Sequence, residues 1–179
     1  HSTSSAASDV YKRQVFEDLE VKKSVFSQLN DIAKEGAVLA SNTSYLDIDK
    51  IASATDRVGD VIGLHFFSPA NIMRLLEIVV PTNVKDDVVA TGFQLAKILK
   101  KVPVRAGNCD GFIGNRVLEN YAKAANYMME DGTSPYDIDK AIVEFGYPMG
   151  PFQMFDLAGG DIGWADRKRK AAFRSNEER

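Results

Sequence analysis

Val61-Ile62-Gly63-Leu64-His65-Phe66-Phe67-Ser68-Pro69 and Leu75-Leu76-Glu77-Ile78-Val79-Val80 are two apolar runs, each ended by turn residues. Each reads as a strand. Each run carries a single titratable side chain. The chain has only 2 histidines, and the other, His1, sits in a terminal tail, so His65 alone in the body has an unperturbed proton affinity suited to transfer near neutrality. Glu77 is a lone carboxylate in an apolar segment, where leaving a buried charge without its partner costs about 3–5 kcal/mol. A histidine needing an orienting acid and a buried carboxylate needing a partner suit each other as a catalytic dyad. The alternatives are a core histidine and an edge-strand glutamate facing water.

Working outward, Val21, Val25, Phe26, Leu29, Ile32 and Ala33 recur at helical spacing over Asp18–Lys34. Ala37–Ser41 is a short strand, and Asn42-Thr43-Ser44 turns into a short helix around Ile48–Ala54. The first of the two quoted strands covers Val61–Phe67. Asp86–Lys100 is a helix with an acidic first turn suited to its positive end, and Val102-Pro103-Val104 is a last strand. Strands alternating with helices predict an α/β unit with a mostly parallel sheet. After Asn108 the pattern becomes helical: Phe112–Met129, then Pro135–Phe145 entered through Ser134, then Phe152–Leu157, resuming after Gly159-Gly160. The organisation expected is a tail over 1–14, an α/β unit over 15–107 and an all-helical unit over 108–179.

Composition narrows the function. A net charge of −3 argues against nucleic acid or an anionic membrane as partner; the basic run Arg167–Lys170 reads as a solvated helix end. The single cysteine, Cys109, excludes a disulfide framework and a cysteine metal cluster, and no metal site is expected. No apolar run approaches the roughly 18 residues of a membrane span, and no signal-peptide pattern occurs. An intracellular protein is expected, cytoplasmic if bacterial and mitochondrial or peroxisomal if eukaryotic. The opening residues are Ser- and Ala-rich without periodicity, and Asp9-Val10-Tyr11-Lys12-Arg13-Gln14 resembles a translated sequencing-library adapter. Residues 1–14 are therefore expected to be a disordered, non-native tail, and the charged end Ser175–Arg179 reads as a truncation.

In an open α/β sheet ligands sit beyond the carboxyl ends of the strands. Ser41-Asn42-Thr43-Ser44 directly follows a strand and His65 lies near the end of the next, so both face one crevice. Asn115 opens the first helix of the second unit behind Gly111 and Gly114, glycines that permit close approach or an unusual turn. Ser44 and Asn115 could equally be turn or helix-capping residues.

Taken together these pieces resemble the L-3-hydroxyacyl-CoA dehydrogenases of fatty-acid β-oxidation. The resemblance rests on Val15–Lys22, Ser41-Asn42-Thr43-Ser44, His65–Pro69, Leu76-Glu77, Gly111–Arg116 and Gly146–Phe152, in that order, and runs from Val15 to about Arg169. The ending Asp161-Ile162-Gly163-Trp164 is more similar to the multifunctional proteins than to the small single-activity enzymes. The resemblance implies that His65 takes the proton of the substrate hydroxyl, Glu77 orients it, and Ser44 and Asn115 bind the substrate oxygen. It places Glu17, Lys22, Asn42 and Ser68 on the cofactor side, with NAD as cofactor and an acyl-CoA as substrate. Ser68 stands where many members carry Asn, a shorter contact. A homo-oligomer or a fused enoyl-CoA hydratase domain fits the same picture.

No Gly-x-Gly-x-x-Gly turn occurs, so the backbone groups that cradle a dinucleotide pyrophosphate are not in this chain. Two or three charge-assisted hydrogen bonds of about 1.5–3 kcal/mol each are forgone, about a thousandfold or more in affinity. A partial Rossmann-like sheet lacking its first strands is expected to expose a long edge, and this chain alone to be weakly active or inactive. Two other readings share the fold: a non-enzymatic, crystallin-like or acyl-CoA-binding relative, and a dehydrogenase of free hydroxy acids or sugar acids.

Overall fold

The structure, a computed structural model, describes residues 15–171. The tail read over 1–14 and the truncated end read at Ser175–Arg179 lie outside the described residues.

Helix α1 (Leu19–Ile32) starts where the Asp18 carboxylate accepts the Val21 N–H at 3.0 Å, satisfying one donor that a helix start otherwise leaves free. It stops short of the predicted Lys34. Arg57 takes over there, donating to the carbonyls of Ala33, Lys34 and Ala37. Strand β1 (Leu39–Ser41) leads through Asn42–Leu46 into α2 (Ile48–Ala52), capped by Asp47. Strands β2 (Val61–Phe66) and β3 (Leu75–Val80) follow, then α3 (Asp86–Ile98) and β4 (Val102–Gly107). β4 outruns the predicted Val104 because it pairs with the whole of β3, from Leu75↔Val102 to Val80↔Gly107.

The sheet order is β1-β2-β3-β4, with β1–β2 and β3–β4 parallel and β2–β3 antiparallel. The mostly parallel sheet read from the sequence is thus present. Its one antiparallel step follows from residues 67–74: a parallel crossover needs about a dozen residues or more, usually including a helix. β1 spans only 3 residues, so the edge it leaves is short where the sequence predicted a long one. Beyond Ser41 the Asn42 side chain accepts the Phe66 N–H at 2.9 Å, and a side-chain bond replaces the next rung of the ladder.

Side chains alternate across a strand with period two. Val61 and Val79 therefore join Phe26, Leu39, Ile48, Ile51, Ala52, Ala106 and Phe112 on one face. Ile62, Leu64, Leu76 and Ile78 meet Val88 and Ala96 of α3 on the other. Each fully buried aliphatic chain contributes about 1.5–3 kcal/mol. The two-sided burial is why β2 and β3 read as continuous apolar runs. His65 and Glu77 have the parity of Val61 and Val79 and lie on the first face.

Among the described residues no strand follows Gly107. α4 (Gly114–Glu130), α5 (Pro135–Phe145), α6 (Pro151–Ala158) and α7 (Gly160–Ala171) complete the fold. α5 begins on Ser134 with Pro135 in its first turn and ends at Gly146 with φ 117°, the usual proline-in, glycine-out pattern. The buried Asp139 of α5 accepts the Phe152 and Gln153 N–H groups at 2.9 Å each, setting a carboxylate on the N-terminus of α6. On α7, Arg167 and Lys168 are exposed, whereas Lys170 pairs with Glu119 at 2.8 Å and Asp110 at 3.2 Å. No described helix is long and apolar enough to cross a membrane.

Candidate active site

The β2–β3 register sets His65 directly opposite Glu77, and directly opposed residues project from the same face with Cβ atoms about 4.5–5.5 Å apart. The His65 Nδ1 lies 2.7 Å from Glu77 Oε2. With Nδ1 protonated it donates to the carboxylate, which leaves Nε2 as the nitrogen able to take a proton. His65 is 3% exposed and Glu77 0%, so the edge-strand reading of Glu77, facing water, is overturned. The second carboxylate oxygen, Oε1, accepts the Ile113 N–H at 3.1 Å and the Gly114 N–H at 2.7 Å. One carboxylate therefore orients the imidazole and caps α4, tying the sheet to the helices. Burial pushes the Glu77 carboxyl up, but the bonds from His65, Gly114 and Ile113 outweigh it and hold it below its ordinary value.

That cap explains why α4 starts at Gly114 and not at the predicted Phe112. Gly111 and Phe112 have φ 67° and 48°, two left-handed residues in succession that turn the chain from β4 into α4. For a bulky residue such a backbone costs about 1–3 kcal/mol. The Phe112 ring lies 5.5 Å and the Phe67 ring 4.5 Å from the His65 ring, centroid to centroid. Gly114 sits so close that an added Cβ would meet the Phe67 ring at 2.6 Å. Gly114→Ala is expected to cost about 1–3 kcal/mol by overpacking, read as a lower urea midpoint at unchanged slope; a midpoint equal to wild type would show that Phe67 moves aside freely.

A cleft of about 820 Å³ opens beside His65. Its walls include Glu17, Lys22, Asn42, Ser44, Ser68 and Asn115 with His65 itself, while Glu77 lies behind the imidazole. The structure thus brings seven of the eight residues singled out in the sequence to one cavity. Their partners are specific. Glu17 Oε2 pairs with the buried Lys22 at 2.9 Å, and Oε1 accepts the Ser44 N–H at 2.8 Å and the Thr43 hydroxyl. Asn115 Nδ2 donates to the Ser44 carbonyl at 3.4 Å. The capping alternatives fall elsewhere: Asp47 caps α2, Thr43 is the turn hydroxyl that accepts the Leu46 N–H at 3.0 Å, and Glu77 caps α4. Sequence reading passed over Thr43, Phe67 and Phe112. The two phenylalanines lay within quoted motifs, but nothing in an apolar residue type announces contact with a histidine.

The residues present suit a cofactor in part. The cleft falls in the usual range for a ligand site, about 300–1,000 Å³, and Lys22, Asn42 and Ser68 offer donors beside the histidine. The sequence holds no Gly-x-Gly-x-x-Gly pattern to cradle a dinucleotide pyrophosphate. Among the described residues no cluster of histidine, cysteine or carboxylates could hold a metal.

Three carboxylates share one electrostatic character. Burial raises Glu17, yet Thr43, Lys22 and Ser44 together hold it low. Lys85 first, and then Arg57 against the opposing effect of burial, holds Asp60 low. Glu77 is the third. Groups depressed in the folded state contribute stability that is complete above their unfolded values and is lost as the pH falls through the folded ones. The ordinary values are 4.5 for the glutamates and 3.8 for the aspartate. The urea midpoint is expected to hold near neutrality and fall steadily below that range. A midpoint unchanged down to strongly acid pH would contradict this assignment.

Residues 2–109 match the family model described as 3-hydroxyacyl-CoA dehydrogenase, NAD binding domain, and residues 111–179 match the C-terminal domain of the same family. The first match begins inside the segment read as a tail. The chain is 50% identical over 163 residues to the peroxisomal bifunctional enzyme of Cavia porcellus, covering 91% of this chain and 22% of that protein. It is 42% identical over 151 residues to the peroxisomal fatty acid beta-oxidation multifunctional protein MFP2 of Arabidopsis thaliana, covering 84% and 21%. Among solved structures, FadB2 of M. tuberculosis superposes with a TM-score of 0.83 at 36% identity, over 91% of this chain and 59% of that one. A 3-hydroxybutyryl-CoA dehydrogenase of Escherichia coli gives 0.79 at 37%, over 89% and 34%. The chain spans about a fifth of the length of the curated relatives it matches.

Proposed function

The chain belongs to the 3-hydroxyacyl-CoA dehydrogenase family, and from that premise we propose that it is a piece of an NAD-dependent oxidoreductase converting (3S)-3-hydroxyacyl-CoA to 3-oxoacyl-CoA in fatty-acid β-oxidation. The observation that carries this reading is the buried His65–Glu77 pair, 2.7 Å apart, on the wall of a cleft large enough for a ligand. His65 Nε2 takes the proton from the substrate 3-hydroxyl. Glu77 fixes the tautomer and stabilises the imidazolium that forms, as the acid of a triad does for its histidine. The Ser44 hydroxyl and Asn115 amide bind the substrate oxygen and orient C3. Bound NAD would supply the acceptor for the C3 hydride. Glu17, Lys22, Asn42 and Ser68 would line the cofactor's side of the cleft, with Glu17 and Lys22 locking the Asn42–Ser44 loop.

Residues 15–107 are read as the C-terminal part of the NAD-binding unit and 108–179 as the helical unit that closes over the substrate. The whole protein is read as a multifunctional β-oxidation enzyme with a fused enoyl-CoA hydratase domain, in peroxisomes as its relatives' names indicate.

The test is a steady-state assay of the full-length gene product, following NADH with a 3-hydroxyacyl-CoA and separately with the free 3-hydroxy acid. Turnover of the thioester alone is expected. Preference for the free acid would move the reading to a hydroxy-acid dehydrogenase of the same fold. Tight acyl-CoA binding without NADH would move it to a binding protein.

A further inference from the structure

Phe112 presents a contradiction. It is 1% exposed and belongs to the core cluster that includes Val79 and Ala106, which is ordinary for a core aromatic. Its backbone, at φ 48°, is not ordinary: bulky side chains avoid the left-handed region, and glycine occupies it freely. The neighbour Gly111, at φ 67°, follows that rule. Core filling alone does not require the strained backbone, and the turn alone does not require the ring. A residue held there persists only when its surroundings over-determine it.

Both halves of Phe112 meet the dyad. Its ring stands 5.5 Å from the His65 ring, and the Phe67 ring, 4.5 Å away, also packs on the imidazole. Its left-handed turn aims the next two N–H groups, those of Ile113 and Gly114, at Glu77 Oε1. We propose that Phe112 is a positioning residue for the His65–Glu77 pair: its ring restrains the imidazole while its backbone restrains the carboxylate, so that one strained residue sets the Nδ1–H tautomer and leaves Nε2 toward the cleft. This deepens the reading of His65 as the base and rests on it. A loose imidazole would rotate or exchange its Nδ1 proton for an Nε2 proton, and Nε2 could then no longer accept.

The test uses the full-length gene product without cofactor or substrate. Long-range ¹⁵N–¹H spectra at alkaline pH report the imidazole tautomer, and a His65→Gln sample assigns the His65 signal. Wild type is expected to be almost wholly Nδ1–H. Phe112→Leu and Phe112→Met, which keep an apolar chain without the ring, are expected to raise the Nε2–H share several-fold. They should also speed exchange of the Ile113 and Gly114 amides by about tenfold, as local opening becomes easier. Phe145→Leu, the same replacement at an 81% exposed site, is the control that leaves both unchanged. A folded Phe112 variant with the wild-type tautomer and exchange overturns the proposal. So does failure of both variants to fold, since Phe112 would then be a core residue and nothing more. Activity of a His65 variant decides separately whether His65 is the base.

Discussion

His65→Gln in the full-length gene product is expected to lower kcat by about 10²- to 10⁴-fold, the usual contribution of a positioned base. That is about 3–5 kcal/mol of transition-state stabilisation at 1.36 kcal/mol per decade. Gln is chosen because its amide can still donate to Glu77, so the buried carboxylate keeps a partner and the fold is spared. KM for the acyl-CoA should change little, because proton removal develops in the transition state and not in the bound ground state. No other described histidine exists to substitute. A variant retaining kcat within a few-fold of wild type would remove His65 from the chemistry.

Glu77→Ala should produce the largest loss of stability in the chain, about 3–5 kcal/mol. The carboxylate is 0% exposed and has three partners: His65 Nδ1 and the N–H groups of Ile113 and Gly114. Deleting it strands all three in the interior, and each orphaned donor costs about 1–3 kcal/mol. Against a total of about 5–15 kcal/mol for a typical domain, that is a loss visible in a single urea titration. Glu77→Gln separates structure from chemistry. Its amide oxygen can still accept from α4, so stability should fall by less than in the alanine variant. Its NH₂, however, faces Nδ1 and turns the histidine into the Nε2–H tautomer, which cannot act as base. Stability partly kept with activity lost is the expected signature; equal losses of both would make Glu77 structural only.

Much of the fold was legible in local pattern. β2 and β3 were visible because burial on both faces leaves an unbroken apolar run, and α5 because Ser134, Pro135 and Gly146 punctuate its ends. Boundaries were lost wherever a distant group set them. β4 runs on to Gly107 because β3 offers a partner for every residue, and α1 ends early at carbonyls taken by Arg57. Phe112 carries no sequence sign of its left-handed backbone; periodicity placed it inside a helix.

The site divides along the same line. The sequence by itself determined the α/β-then-helical order, the family resemblance and the two residues whose chemistry needs each other, because proton affinity and the cost of burying charge belong to residue types. Only the tertiary structure decided how they meet. The antiparallel register puts His65 opposite Glu77, where a slip of one residue would send Glu77 to the other face. It also decided that Glu77 caps α4 and that Glu17 spends its oxygens on Lys22, Thr43 and Ser44. Those outcomes depend on distances between segments far apart in the chain, and no local sequence pattern encodes them.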